Sequence, residues 1–258
     1  MLAIIGGSGL TQLSNLDVSH RRVARTPYGE PSGALTCGSI CGNEVVFLAR
    51  HGYGHAIPPH AVNYRANIWA LKEHGATHIV SVASVGAVRD GLNPGDMVIP
   101  HQIIDYTWGR KSTYFDGNGT PVVHVDFTEP YDAALRRQLI LAAGRAGIDI
   151  KDGGVYGATQ GPRLETAAEI CRYEREGVDL VGMTGMPEAV LARELAIPYA
   201  AINLVANHAA GRGESSNGIH FERLEQVLQE AMGRVRCVIE QLVGCYASGN
   251  EAVASRQG

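Results

Sequence analysis

Two short stretches place single polar side chains where an α/β chain binds ligands, at the carboxyl ends of strands. One is Gly161-Pro162-Arg163-Leu164-Glu165-Thr166; the other is Val181-Gly182-Met183-Thr184-Gly185-Met186-Pro187-Glu188. The carboxylate of Glu165 can only accept hydrogen bonds, whereas the hydroxyl of Thr184 can donate one to an anion. Asn207, at the end of the apolar run from Pro198 to Ala206, carries an amide that can donate to a ligand. Each has a plainer reading: Glu165 as a cap of the helix that follows it, Asn207 as the end of a strand.

Three further strand ends suit an oxyanion. Gly6-Gly7-Ser8-Gly9 follows the buried run Leu2-Ala3-Ile4-Ile5, and its glycines let backbone amides approach an anion beside the Ser8 hydroxyl. Arg50-His51-Gly52 closes the run Val45 to Ala49; Arg50 offers a planar fork of donors and His51 one more. Ala83-Ser84 closes the run Ile79 to Val82, with small residues that permit close approach. The first glycine loop is not a dinucleotide fingerprint, since position 12 is Gln, and no lysine makes it a Walker loop. Leu10 excludes a nucleophile elbow.

These segments, in this order, resemble the purine nucleoside phosphorylase and methylthioadenosine phosphorylase family, over residues from Ala3 to about Leu242. The resemblance implies a phosphate site built from Ser8, Arg50, His51, Ala83, Ser84 and Thr184. It implies Met183 against the sugar, and His124 as a residue lent to a neighbouring subunit's pocket. The implied reaction is phosphorolysis of a purine N-glycosidic bond in purine salvage, with phosphate as co-substrate and no cofactor. The combination of Glu165 with Asn207 implies 6-oxopurines: Glu165 accepts the N1–H that adenine lacks, and Asn207 donates to O6 or N7 of the leaving base.

The sugar is less determined. Asn63-Tyr64-Arg65-Ala66-Asn67-Ile68-Trp69 and His101-Gln102-Ile103-Ile104-Asp105-Tyr106-Thr107 resemble the methylthioinosine phosphorylase branch. His220, before Phe221, instead matches a histidine that binds the ribose 5′-hydroxyl in enzymes of inosine and guanosine. The expectation is therefore inosine or guanosine as substrate, with Asn207 and His220 as catalytic residues and methylthioinosine as the alternative. A non-catalytic nucleoside-binding protein is the reading from another class, and would need no phosphate cradle.

The elements that must position these residues follow from pattern. Apolar runs alternate with helical periodicities over Asn63–His74, Tyr131–Ala146, Thr166–Glu176, Pro187–Leu195 and Phe221–Leu242. That alternation predicts a single three-layer α/β domain over residues 1–246 and a disordered tail over 247–258. The family adds a mixed, barrel-like central sheet flanked by helices. Tyr106 to Thr120 lacks a period and reads as a loop at the site's rim or a subunit contact, which with the resemblance implies a homotrimer or a dimer of trimers.

Composition bounds the rest. The chain has 258 residues, 45% hydrophobic and 19% charged, with a net charge of −4, which argues against a nucleic-acid surface. No apolar run approaches the ~20 residues of a membrane span. Five cysteines, an odd count without a leader-like start, suggest reduced thiols in the cytoplasm. Neither they nor the ten histidines have metal-site spacing, so no metal is expected.

Overall fold

The computed structural model describes residues 1–254 except 11, 118 and 120, with side chains described to 245. Its centre is β5 (His78–Ala87). The buried β1 (Leu2–Gly6) runs parallel to the first half of β5, from Leu2 opposite His78 to Ile5 opposite Ser81. Beyond Ser81 that edge changes partner: β10 (Leu180–Gly182) pairs antiparallel with Gly86 and Ala87. The other edge of β5 is paired along its length by the parallel β11 (Tyr199–His208), with a bulge between Val205 and Asn207.

The remaining strands extend these edges. Outside β1 lie β4 (Asn43–Ala49), β3 (Leu35–Ile40) and β2 (Asp17–Arg22), and outside β10 lie β9 (Val155–Ala158) and β7 (Gln102–Asp105). On β11 sits β6 (Met97–Ile99), and on that β8 (Lys151–Asp152). The result is an 11-stranded mixed sheet that branches at β5. The exposed, polar β2 has no apolar alternation and so carries no strand signal.

Strand alternation divides the core into two faces. Ala3, Ile5 and Ile79 face α1 (Tyr64–Glu73) and α4 (Gly185–Glu194) through Ile68, Leu71, Ala189 and Leu191. Ile4, Val80 and Ile202 face α2 (Ala133–Arg145) and α5 (Phe221–Ala254) through Leu135, Leu139, Val235 and Ile239. The last helix, α3 (Ala167–Arg175), packs Ile170 and Tyr173 with Val88 and Val181. The domain is thus a single α/β unit with helices on both sides of a mixed sheet, as its alternating pattern predicts.

Local chemistry sets the helix starts. Asn63 and Asp132 accept the N–H groups of Ala66 and Leu135, and Thr166 forms a capping box with Glu169. One expectation fails: Met186 and Pro187 lie outside helical geometry, so Pro187 does not open α4 as its first helical residue. The expected tail boundary at 247 falls within the span of α5, and residues 255–258 lie outside those described.

Candidate active site

The partner change along β5 leaves a gap, and Arg50 fills it. Arg50 follows β4 and is fully buried, as is Glu188 on α4. Nε and Nη2 donate to the two carboxylate oxygens of Glu188 at 2.7 and 2.9 Å. Nη2 also donates to Ser81 Oγ at 2.6 Å, and Nη1 to the carbonyl of Val82 at 3.1 Å. Tyr199 adds a hydroxyl donor to Glu188 at 2.8 Å. A guanidinium has five N–H groups, so one, on Nη1, is left. Gly7 lies against that nitrogen: a Cβ there would stand 2.7 Å from Nη1. The expected open fork is therefore a correction. Arg50 is mainly a buried ion pair, with a single donor left for a ligand. Burial works against its charge, but Glu188 outweighs burial and the proton is held more tightly than usual.

A cavity of about 650 Å³ opens at this point. Gly7, Ser8, Arg50, His51, Ala83, Ser84 and Thr184 line one part of it, so the four segments expected to bind an anion do meet, although Ala83 and Ser84 lie inside β5, past the point where β1 leaves it, and not at the strand end expected after Val82. Thr184 stands at the end of β10 with no side-chain capping bond, and its N–H donates to the hydroxyl of the buried Tyr156 at 3.1 Å. That hydroxyl also accepts from Gly185 at 3.3 Å, which fixes the turn.

His51 departs from expectation in its chemistry. Its Nδ1 lies 2.8 Å from the carbonyl of Ile57, an acceptor, so Nδ1 carries the proton. Burial, then the charge of Arg50, lowers its pKa to about 4 despite that hydrogen bond. The ring is neutral near pH 7, and Nε2 is an acceptor rather than the extra donor expected. Phosphate as the dianion HPO₄²⁻ still carries one P–OH, which such a nitrogen can accept. His55, which has no sequence signal of its own, packs tilted against His51 at 4.4 Å between centroids and reaches Ser8 Oγ at 3.5 Å.

Glu165, Met183 and Asn207 line another part of the cavity. Glu165 does not cap α3; Glu169 performs that task and is further held by Arg163. Glu165 Oε1 instead accepts the hydroxyl of buried Thr159 at 2.6 Å. Asn207 stands just beyond the β11 bulge, which re-aims the strand. One of its two amide hydrogens goes to the carbonyl of His208 at 2.6 Å, leaving one. Behind this wall, Arg110 donates to the carbonyls of Met183 and Met186 at 2.8 and 2.6 Å and to that of Gln160 at 2.8 Å. The irregular segment from Tyr106 is therefore tied to both strand ends, although its residues 118 and 120 lie outside those described.

Two expected residues lie outside the lining, one of them, His124, as a residue lent to a neighbouring subunit's pocket would. His220 is exposed and outside the cavity lining, while its neighbours Ile219, Phe221 and Leu224 are in it. His220 is the flanking residue of α5, its carbonyl accepting the N–H of Leu224, and its side chain stays outside the cavity between those of Ile219 and Phe221. His124 is exposed and also outside the lining. Of the residues not anticipated, Glu188 had a signal: a lone carboxylate in an apolar segment needs a buried cation. Thr159 and Arg110 had none.

A mixed α/β sheet with hydroxyl and N–H groups from four segments converging on one cavity, beside a carboxylate and an amide, is the arrangement expected of a nucleoside phosphorylase. The comparisons agree. Residues 1–244 match the model of the Phosphorylase superfamily, and the chain belongs to that family of enzymes. It is 50% identical over 241 residues to a probable S-methyl-5′-thioinosine phosphorylase of Pseudomonas syringae, covering 93% of this chain and 97% of that one. It is 49% identical over 243 residues to the 6-oxopurine nucleoside phosphorylase of Pyrococcus furiosus, covering 92% and 90%. The methylthioadenosine phosphorylase of Schistosoma mansoni, solved with adenine, superposes with a TM-score of 0.92 at 32% identity, covering 96% of this chain and 92% of that one.

Two outcomes follow. Glu188→Ala leaves Arg50 buried and unpaired, so urea unfolding should show a loss of about 3–5 kcal/mol. A loss under ~1 kcal/mol would mean that the pair is dispensable. The second concerns pH. A folded-state pKa near 4 lies below the usual value of His, so the unfolded chain takes up the proton first as pH falls. His51 thus favours the fold fully above about pH 6.5, and this contribution is lost as pH drops toward 4. His51→Gln should show a shallower fall in the urea midpoint across that window. The fall should not vanish, because His55 is also shifted down, by burial and then Arg50. An unchanged slope would rule out a buried neutral His51.

Proposed function

We propose that this chain catalyses phosphorolysis of 6-oxopurine nucleosides in purine salvage, with phosphate as co-substrate and no cofactor. The observation that carries the reading is the meeting, in one cavity, of the anion cradle with the carboxylate of Glu165. The names of the relatives from Pseudomonas syringae and Pyrococcus furiosus support it.

In this reaction a phosphate oxygen forms a bond to the anomeric carbon while the bond to N9 breaks and its electron pair leaves with the purine. The proton that HPO₄²⁻ brings ends on the base, so sugar 1-phosphate and neutral purine form. Ser8, Ser84, Thr184, backbone amides and the remaining Arg50 N–H hold the dianion, and His51 Nε2 accepts its P–OH. Glu165 takes the N1–H of the base. The free amide hydrogen of Asn207 stabilises the charge that develops on O6 or N7. Adenine presents an acceptor at N1 to the acceptor Glu165, which leaves polar groups unpaired and disfavours it.

The expected ribose nucleosides and the methylthio alternative are equally close among the relatives, and the cavity lining bears on the choice between them. With His220 outside the cavity, the remaining lining at the start of α5 is Ile219, Phe221 and Leu224. An apolar wall suits a 5′-methylthio group and offers a 5′-hydroxyl no partner. S-methyl-5′-thioinosine is therefore the preferred substrate and inosine the secondary one. Paired assays of methylthioinosine, inosine and methylthioadenosine, each with and without phosphate, test this. The expected outcome is phosphate-dependent release of hypoxanthine, fastest from methylthioinosine and unaffected by His220→Ala. Cleavage at equal rate without phosphate would defeat the reaction. A marked loss on inosine in His220→Ala would restore His220 to the site.

The same chain assembles as a homo-oligomer, with a second copy covering the edge that carries His124. Trp108 and Val122, exposed at 72% and 69%, lie on the same segment and support such a cover. Light scattering at assay concentration should give a multiple of 27.5 kDa. A fully active monomer would overturn it.

A further inference from the structure

We propose that Thr159 restricts the base site to hypoxanthine and disfavours guanine, by occupying one of the two oxygens of Glu165. The inference rests on the 6-oxopurine reading above and goes one step further. Thr159 is the residue immediately after β9, is buried, and is held from both sides of its backbone. Its N–H donates to the carbonyl of Gly182 at 2.7 Å. Its own carbonyl accepts from Arg110 Nη2 at 3.3 Å. With the backbone fixed, a β-branched side chain has little rotamer freedom. Gly182 O also lies 3.3 Å from the hydroxyl, but it already takes the Thr159 N–H. The hydroxyl proton therefore belongs to Glu165 Oε1, at 2.6 Å, a charge-assisted bond.

The two 6-oxopurines differ only at C2. Hypoxanthine has one donor on this edge, N1–H, beside a C2–H. Guanine has two adjacent donors, N1–H and the exocyclic amine, which match both oxygens of a free carboxylate. At Glu165 one oxygen is already engaged, and Oε2 is the open acceptor. Hypoxanthine is then fully satisfied by Oε2. Guanine must add its amine hydrogen to Oε1 as a second donor, in competition with the charge-assisted bond that the Thr159 hydroxyl already makes there at 2.6 Å. Thr159 is a positioning residue: it acts through Glu165 and need not touch the base.

Calorimetric dissociation constants for hypoxanthine and guanine, on the parent, Thr159→Val and Thr159→Ser, test this alongside phosphorolysis of methylthioinosine by the parent. The parent should bind hypoxanthine roughly 2- to 10-fold more tightly than guanine, the worth of one weakened hydrogen bond. Thr159→Val keeps the shape, frees Oε1 and should narrow that ratio toward one. Thr159→Ser keeps the hydroxyl and should retain it. A general loss of packing would weaken both bases together and leave the ratio alone. A parent that binds guanine as tightly as hypoxanthine overturns the proposal, as does a ratio unchanged in Thr159→Val. If Thr159→Val does not fold, Thr159→Ala carries the same comparison. Failure of the underlying function reads differently: the parent would then bind neither base and release no hypoxanthine.

Discussion

The buried pair of Arg50 and Glu188 is the constraint on which the site depends. Where β1 leaves β5 after Ser81, the carbonyl of Val82 loses a strand partner, and Arg50 supplies one. A buried backbone acceptor must be paired, so the cation is part of the sheet as much as of the cavity. Arg50 in turn cannot be buried without Glu188, and Glu188 is held by Tyr199 from β11. Three strands and one helix thus meet at one guanidinium. The floor of the cavity is rigid because its polar groups are already spent on one another.

How much of this was legible in the sequence varies with the physics involved. Strand ends carrying Gly-Ser, Arg-His and Ala-Ser are local signals, because the small residues and the donors lie next to each other in the chain. Their convergence follows from the parallel alignment of β4, β1 and β5, which puts the ends of β4 and β1 beside the middle of β5, where Ala83 and Ser84 lie. Capping residues such as Asn63 and Thr166 were equally local. By contrast, the state of Arg50 depends on a residue 138 positions away. The tautomer of His51 depends on the turn that brings round the Ile57 carbonyl. Neither is written in spacing. The misplacement of His220 is local instead, since a one-residue step at a helix start swings a side chain by about 100°.

The capping box of α3 shows how a site carboxylate is kept available. Glu165 and Glu169 lie four residues apart, and either could serve the helix N-terminus by charge alone. Glu169 reaches back to the Thr166 N–H and also pairs with Arg163; the pKa of its carboxyl drops to about 2, first by the Arg163 hydrogen bond and then by that of Thr166. With the helix end satisfied, nothing draws Glu165 away from Thr159 and the cavity. A sequence reader can see both carboxylates, but only the backbone path through Gly161 and Pro162 decides which one turns inward.

The charge balance of the cradle bears on catalysis itself. A free, exposed cation would bind phosphate strongly before, during and after reaction, and such uniform binding does not lower the barrier. Here the guanidinium charge is compensated by Glu188 and His51 is neutral, so a dianion in the proposed site would meet chiefly dipoles: hydroxyls, amides and one N–H. In the proposed reaction it therefore keeps its charge facing the sugar. When the glycosidic bond stretches and the sugar becomes oxocarbenium-like, that unneutralised charge finds its partner. The attraction is greatest at the transition state, where it accelerates the step. On this view the buried pair does two jobs with one interaction: it completes the sheet where β1 parts from β5, and it keeps the nearest cation from masking the nucleophile.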